Sequence, residues 1–288
     1  MKSSWMLVAA TLFALMGVLV KQASTHFSSA ELVFYRSVLG LIAIWLGIVM
    51  QRRQLFAPLA TQHFSAHVWR GLAGFVALVL FFYALGRLPL ATAVTLNYTA
   101  PLFLAVLSVV WLRERQGRGL LLAVLLGFGG IVLLLRPQLQ GDTWLPALAG
   151  LVSGMLAAVA YVNIKRLGKL GEPEWRVVFY FTLLATLGGG AWMLLVGFTR
   201  PALADLPALL GIGLTATLAQ LALTRAYQRG RTLTVGALAY STVVFSALYG
   251  VLLFDERLPP IAWLGVALIV VAGILAVSVS TPPAADSL

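Results

Sequence analysis

The sequence contains no cysteine and few charged residues, and both shortages narrow the possible functions. Without cysteine, the chain has no disulfide, no thiolate metal site and no Cys nucleophile. Only 10% of its 288 residues are charged, against roughly 25% in an ordinary soluble domain. Such a chain could not cover its surface with polar groups in water. Since 61% of its residues are hydrophobic, the solvent for most of that surface must be lipid.

Acidic residues are scarcer than basic ones, with 9 Asp and Glu against 20 Lys and Arg, and the formal net charge is +11. In a soluble protein this excess would suggest nucleic-acid binding. In a membrane protein, Lys and Arg collect in cytoplasmic loops, so a basic total is expected. We therefore predict membrane lipid and a small-molecule substrate as partners, and no nucleic acid.

Long apolar runs predict an all-α membrane protein with ten transmembrane helices. The predicted spans are 4–21, 30–50, 69–87, 90–112, 118–135, 145–165, 175–197, 207–228, 232–254 and 260–279. With the N-terminus inside, the cytoplasmic segments, counting Arg70, hold 14 Lys and Arg and the outer segments hold 5. This bias predicts a cytoplasmic, inner-membrane location with both termini cytoplasmic.

The chain contains an internal repeat. Residues 84–115 align without a gap to residues 226–257, and ten of these 32 positions are identical. The charged matches recur in register with a tyrosine: Arg87 with Arg229, Tyr98 with Tyr240, Glu114 with Glu256, and Arg115 with Arg257. Lys21 is set against Lys165, a weaker match. The predicted organisation is a first five-helix repeat at 1–137, a second at 142–281 and a disordered tail at 282–288.

An odd number of helices in each half forces the second copy to enter the membrane from the opposite side. Inverted repeats of this kind are a common construction of secondary transporters, which place a substrate site near the middle of the membrane. The repeat also favours keeping the first apolar run, from Trp5 to Val20, as part of the fold and not as a cleaved signal peptide.

Several short motifs in a fixed order carry a resemblance to a known family. They are Phe34-Tyr35-Arg36, Tyr83-Ala84-Leu85, Leu90-Ala91-Thr92-Ala93, Pro101-Leu102-Phe103, Glu114-Arg115, Arg225-Ala226-Tyr227 and Asp255-Glu256-Arg257. With ten helices in two halves, the chain resembles the EamA family of the drug/metabolite transporter superfamily, and within it bacterial amino-acid exporters of the YddG type. The resemblance implies export of small metabolites, amino acids among them. Val243 stands where the family often has a second Pro, which weakens the case for a kink in helix nine.

Polar side chains within the predicted spans are the candidate substrate-binding residues, because each one is costly in hydrocarbon. Aromatic rings beside amides and hydroxyls would suit a zwitterion with an apolar side chain. The alternative is that these groups only hydrogen-bond neighbouring helices. The candidates are Tyr83, Asn97, Tyr98, Tyr161, Asn163, Gln220 and Tyr240.

A second group is predicted to act in gating or in structure. Arg36 lies about two turns inside helix two, where it could attract a carboxylate, pair with Glu31 or extend to the interface. Pro101 removes a backbone hydrogen bond and predicts a kink in helix four. The whole group comprises Lys21, Glu31, Arg36, Pro101, Glu114 and Glu256.

Proton carriers and catalytic groups are missing from the predicted spans. No Asp or Glu lies near the middle of one, and His26, His63 and His67 all fall in predicted loops. This pattern favours weak or no proton coupling. It disfavours an intramembrane enzyme, a metal site and any cofactor. Two alternative solutes are a drug-like cation and a nucleotide sugar. The cation should require a membrane-embedded carboxylate, which the predicted spans lack, and the nucleotide sugar should require several cationic residues, of which only Lys21 and Arg36 come near. A channel would require a continuous polar stripe along several helices, which the sequence also lacks. The chain is expected to function as a monomer.

Overall fold

The chain is helical throughout the part that the computed structural model describes, which comprises residues 3–52, 59–88, 90–112, 117–135, 143–254 and 259–280. Helices suit apolar segments in lipid because they satisfy every backbone N–H and C=O within the segment. The helices of the first half are α1 (Trp5–Ala23), α2 (Ser29–Arg52), α3 (Phe64–Arg87), α4 (Leu90–Asn97), α5 (Ala100–Val110) and α6 (Arg118–Leu135).

The second half repeats this order of helices. It comprises α7 (Trp144–Lys169), α8 (Glu174–Val196), a short 3₁₀ helix (Leu203–Asp205), α9 (Leu206–Arg229), α10 (Thr232–Ala239), α11 (Ser241–Phe254) and α12 (Pro260–Ser280). Gly171 and Gly197 follow α7 and α8 with φ of 80° and 95°, a backbone conformation that glycine adopts without a steric penalty.

By length and composition, seven of the described helical stretches are sufficient to cross a membrane. Three further apolar helices are shorter: Ala100–Val110, Arg118–Leu133 and Trp263–Ala276. The chain is thus a multi-pass membrane protein, and the predicted spans correspond in position to these stretches.

Both predicted spans that carry the best-matched repeat are broken. The predicted helix four divides into α4 and α5 at a turn formed by Tyr98 and Thr99, and α5 begins with Pro101 in its first turn. The predicted helix nine divides into α10 and α11 at Tyr240, although Val243 replaces the proline there. The break therefore occurs in both repeats at the matching tyrosine, with or without a proline.

The two halves pack against each other in matching pairs. The helix α1 packs on α9, and α3 packs on α7. These two contacts are equivalent, because α1 corresponds to α7 and α3 corresponds to α9 in the repeat. The helix α2 packs on α8, and α6 on α12, each against its own repeat counterpart. The hydrophobic core lies between the halves.

The repeat is also visible in two lysines that cap helices. The Nζ of Lys21 donates hydrogen bonds to the carbonyl oxygens of Leu85 (3.1 Å) and Leu88 (2.6 Å), at the end of α3. The Nζ of Lys165 donates to the carbonyl oxygen of Gly230 (2.6 Å), at the end of α9. Carbonyls at a helix C-terminus have no partner within the helix. The weak sequence match between Lys21 and Lys165 therefore corresponds to one shared structural role.

Glycines allow close helix packing at several positions. A Cβ added at Gly154 would lie 2.7 Å from the Asn97 carbonyl oxygen and 2.9 Å from that of Leu96, so α7 packs directly on the end of α4. Gly150 packs on Leu96 in the same way. Gly130 faces α12, whereas Gly129 has no atom within 4 Å of such a Cβ. The close approach of α7 determines where the broken segment after α4 lies.

Two expectations about α3 were wrong because this helix begins at Phe64, five residues before the predicted start at 69. His67 is therefore in the first turns of a helix and fully buried, not in a loop. Arg70, predicted to lie in the cytoplasmic segment, is inside the bundle and 2% exposed. Glu114 and Glu256, with Arg115 and Arg257, lie outside the described residues, as does the predicted tail.

Candidate functional site

A central cavity lies between the two halves and holds about 750 Å³ of space free of atoms, its mouth included. Its walls come from α1, α2, α3 and α4 of the first half and from α7, α8, α9 and α11 of the second. Much of the wall is apolar, with Phe13, Met16, Phe81 and Phe181 among the contributors. The mixture of apolar and polar lining residues is typical of a small-molecule site.

Four of the predicted substrate-binding residues line this cavity: Asn97, Tyr98, Tyr161 and Gln220. The Nδ2 of Asn97 donates to Ser153 Oγ on α7 (2.9 Å), and that hydroxyl donates to the Gly150 carbonyl oxygen (2.6 Å). This chain of hydrogen bonds fixes the amide at the end of α4. Asn97 and Tyr98 reach the cavity because α4 ends at Asn97 and Tyr98 begins the turn.

Tyr161 is fixed by a second aromatic ring. Its ring stacks on that of Tyr227 from α9, with 4.7 Å between centroids and 18° between planes. Tyr227 is fully buried and does not line the cavity. Stacking against a buried ring limits the positions open to Tyr161 and orients its edge in the cavity wall.

Two arginines also line the cavity, and both are almost completely buried. Arg36 from α2 is 4% exposed, and Arg70 from α3 is 2% exposed. The guanidinium carbon of Arg36 lies 5.5 Å from the centroid of the Phe181 ring, and that of Arg70 lies 4.2 Å from it. Both groups thus contact one aromatic ring of α8, at distances where a cation and a ring attract each other.

These guanidinium groups have few hydrogen bonds. Arg36 Nη2 donates to Gln220 Oε1 at 3.5 Å, the outer limit for such a bond. The Nε and Nη1 atoms of both arginines are buried without a hydrogen-bond partner, and Gln220 Nε2 is in the same condition. No Asp or Glu is among the residues that line the cavity. The cavity therefore contains two cationic groups whose charge is not neutralised by its own walls.

Arg36 and Arg70 change the expectations for this site. The alternative in which Arg36 pairs with Glu31 does not hold, because Glu31 accepts hydrogen bonds from the backbone N–H groups of Ser28 (2.7 Å) and Thr199 (2.5 Å). Arg36 instead points into the bundle. Arg70 was not predicted as a site residue at all, since the apolar run begins only at Val68 and Trp69. The two arginines make the central site cationic.

The structure does not bring the other three candidates to the cavity. Tyr83 lies under the guanidinium of Arg87, 4.0 Å from its ring centroid. The Nδ2 of Asn163 donates to the Val159 carbonyl oxygen within α7 (3.0 Å). Tyr240 is fully buried in the hydrophobic core, in contact with the backbone at Gly127. Its position in the core does not support the prediction that Tyr240 contacts substrate.

A polar cluster joins two loops at the end of the bundle opposite Glu31. Glu172, in the turn between α7 and α8, accepts hydrogen bonds from the hydroxyl of Thr61 and from Arg176 Nη1 (2.9 Å). His67 Nε2 lies 3.4 Å from the same carboxylate. Burial opposes ionisation of Glu172, but the bonds from Thr61 and Arg176 outweigh it and lower its pKa below 4.5. The ionised carboxylate therefore ties the α2–α3 loop to the α7–α8 turn.

Comparison with known proteins identifies the family. The description "EamA-like transporter family" matches residues 2–136 and again residues 144–279. The chain belongs to the EamA-like transporter family. The two matches place one family unit in each half, which agrees with the internal repeat and with the resemblance seen in the motifs.

Relatives agree with this assignment to the EamA-like family, and a solved structure shares the fold. The pseudopaline exporter CntI of Pseudomonas aeruginosa is 34% identical over 92% of each chain. A riboflavin transporter of Vibrio cholerae is 28% identical over 93% of this chain and 90% of its own. A crystal structure, 21% identical, superposes with a TM-score of 0.79 over 97% of this chain and 99% of its own. The protein is a membrane transporter and not an enzyme.

Proposed function

We propose that the protein is a secondary transporter that exports small metabolites, amino acids among them, across the cytoplasmic membrane by alternating access. The observation that carries this proposal is the central cavity, whose walls come from both halves of the chain. A site between two repeats becomes accessible from either side when one repeat moves against the other.

The proposed topology has ten transmembrane helices in two inverted repeats, with both termini cytoplasmic. In this topology, the seven long stretches make seven crossings and the three shorter apolar helices would make three more. Five crossings in each repeat require opposite orientations in the membrane. Arg70 now belongs to the cavity and no longer to a cytoplasmic segment, yet the Lys and Arg bias still favours cytoplasmic termini.

Transport of a metabolite is supported by the relatives. The relative that is 34% identical is a pseudopaline exporter, and others are riboflavin transporters and an S-adenosylmethionine uptake transporter of Rickettsia bellii. These names share small organic metabolites as cargo and differ in the direction of transport. The cationic cavity of this chain disfavours the alternative of a drug-like cation, since two like charges would repel it.

Transport is tested with protein reconstituted in liposomes. Counterflow of radiolabelled amino acids and other metabolites is expected for at least one solute and absent from protein-free liposomes. Ala157→Trp, which fills the cavity wall on α7, should abolish that flux. Leu214→Trp is the matched control, because Leu214 is 63% exposed on the outside of α9. Equal flux through both variants would contradict transport through this cavity.

We further propose that the solute moves down its own gradient, without proton coupling. No residue lining the cavity is a carboxylate or an imidazole that could carry a proton. Glu31 is the acid that the sequence offers for this role, and its carboxylate is occupied by two backbone N–H groups. A proton gradient that strongly accelerates flux in the wild type but not in Glu31→Gln would disprove this.

A further inference from the structure

We propose that Arg36 and Arg70 bind a solute that carries two carboxylates, such as an acidic amino acid or a related diacid. This inference rests on the proposed transport through the central cavity and specifies the class of its substrate. The argument depends on the burial of the two side chains, on their missing partners and on the way the fold holds them.

The first step is the energetic cost of two buried charges in the site without solute. Charged groups taken out of water are costly unless they are paired and hydrogen-bonded. Both guanidiniums are nearly fully buried, and each leaves Nε and Nη1 without a hydrogen-bond partner. The lining residues include no carboxylate. The missing counter-charge is therefore expected to come from the bound solute.

The second step is the number of charges. A zwitterionic amino acid with one carboxylate also brings an ammonium group, so the site would retain its net charge of two. A dicarboxylate without an amine, such as succinate, neutralises both guanidiniums, whereas an acidic amino acid, which keeps its ammonium group, neutralises one of the two. Each arginine keeps unpartnered donors at Nε and Nη1, and a carboxylate accepts charge-assisted hydrogen bonds from such donors.

The third step is the spacing of the two arginines. Their guanidinium carbons lie 5.5 and 4.2 Å from one Phe181 centroid, so they are at most about 10 Å apart. They come from different helices, so two anionic groups joined by a short chain can reach one arginine each. Phe181 then offers its ring to the carbon chain between the two carboxylates.

The position of Arg70 also depends on glycine at residue 74, which has no side chain. Gly74 lies one turn after Arg70 on α3, and a Cβ built at Gly74 would collide with Arg70 Nη1 and lie 2.9 Å from Phe181 Cε2. Glycine at 74 therefore leaves the space in which the guanidinium reaches the Phe181 ring. Gly74→Ala is a useful variant because it displaces the charge of Arg70 without removing it.

The test combines binding and flux on the full-length protein. L-glutamate and succinate are the dicarboxylate probes, with L-leucine, putrescine and glucose 6-phosphate for comparison. Melting temperature in detergent reports binding, and counterflow into liposomes reports transport. The variants are Arg36→Gln, Arg70→Gln and Gly74→Ala, and the control is Arg87→Gln, an exposed arginine over the Tyr83 ring.

A dicarboxylate is expected to stabilise the wild type and to be transported in preference to leucine. Each cavity variant should weaken its binding by about tenfold or more, the effect of losing a charge-assisted hydrogen bond. Arg87→Gln should behave like the wild type. Without solute, Arg36→Gln and Arg70→Gln should melt at a higher temperature than the wild type, because a buried unpaired charge is removed. This gain also shows that the variants fold.

Failure of the inference is distinguishable from failure of the proposed function. Preference for leucine, for putrescine or for glucose 6-phosphate over both dicarboxylates would overturn the dicarboxylate site and leave transport intact. So would dicarboxylate binding that the arginine variants do not change. Dicarboxylate binding that depends on Arg36 and Arg70, without flux of any solute in liposomes, would support the site and contradict the transport function.

Discussion

Two tyrosines that match in the repeat have different surroundings, and this difference is the clearest result at the residue scale. Tyr98 lines the central cavity, whereas Tyr240 is fully buried in the core. Both stand where a helix is interrupted, so the local backbone does not explain the difference. The two halves share a sequence pattern, but in this structure only one copy presents its tyrosine to the cavity.

Replacing the two tyrosines should therefore have different effects. Tyr98→Ala is expected to reduce counterflow several-fold with a melting temperature close to that of the wild type. Tyr240→Ala should lower the melting temperature, because truncating a buried aromatic ring typically costs about 3–5 kcal/mol. Parallel flux and melting measurements check both variants. Full flux through Tyr98→Ala would remove this residue from the site.

The Glu172 cluster predicts a dependence of stability on pH. The folded-state pKa of Glu172 is lowered, so the ionised carboxylate stabilises the protein at pH values above 4.5, the ordinary pKa of this group. This contribution is lost as the pH falls through the lowered value. The melting temperature of Glu172→Gln should therefore be well below that of the wild type at neutral pH. This difference in melting temperature should narrow as the pH falls below 4.5.

A neighbouring ion pair is the control for this measurement. Glu174→Gln removes the pair with Arg229 (2.6 Å), whose side chains are 22% and 50% exposed. Exposed pairs contribute little to stability, so Glu174→Gln should change the melting temperature less than Glu172→Gln does. A gap between Glu172→Gln and the wild type that stays constant with pH would contradict the proposed role of the ionised carboxylate.

Sequence reasoning found part of the site and missed its charge for identifiable reasons. Asn97, Tyr98, Tyr161 and Gln220 were predictable because polar groups within apolar runs are conspicuous. Arg70 was missed because the residues before it, Phe64 to His67, include polar ones. Hydropathy therefore placed the start of α3 five residues too late. Hydropathy marks where a span is apolar, but the start of a helix depends on packing that hydropathy does not describe.

At the scale of elements, the interrupted helices shape the cavity. The spans α4–α5 and α10–α11 both break at the repeat tyrosine, and only the first has a nearby proline. A proline in the sequence therefore predicted one of the two breaks. The second depends on tertiary packing, since nothing in the residues around Tyr240 excludes a continuous helix.

Gly154 is expected to be essential for the first break. A Cβ there would meet Thr99 Oγ1 (2.6 Å) and the carbonyl oxygens of Asn97 and Leu96. Two of these contacts are rigid backbone, so Gly154→Val should push α7 away from α4, lower the melting temperature and reduce flux. Gly129→Val is the matched control, since no atom lies within 4 Å of the added Cβ on α6. Equal melting temperatures for the two variants would contradict this account.

At the scale of the whole molecule, the repeat organises both packing and capping. The α1–α9 contact becomes the α3–α7 contact when the halves are exchanged. The two lysines that cap the ends of α3 and α9 are related in the same way. The ten-residue identity between the halves was enough to predict the duplication. It could not show how the halves interlock, because identity between two halves does not show which of their helices are in contact.

The inverted topology predicts which loops face each side of the membrane. The chain has no native cysteine, so single cysteines report their own accessibility. Thr25→Cys, between α1 and α2, should react in intact cells with a reagent that does not cross membranes. Leu170→Cys, 43% exposed between α7 and α8, should react only after permeabilisation. Labelling of both cysteines in intact cells would contradict five crossings per half.

The buried arginine pair makes the transporter without solute sensitive to the membrane potential. A membrane potential does work of about 2.3 kcal/mol per 100 mV on each elementary charge that crosses the full field. Two guanidiniums without a carboxylate in the surrounding wall feel that potential whenever rearrangement changes the side to which the cavity opens. A bound dianion would cancel this charge. The voltage of the cell would then act on the return of the unloaded protein, while the loaded step would be electrically silent.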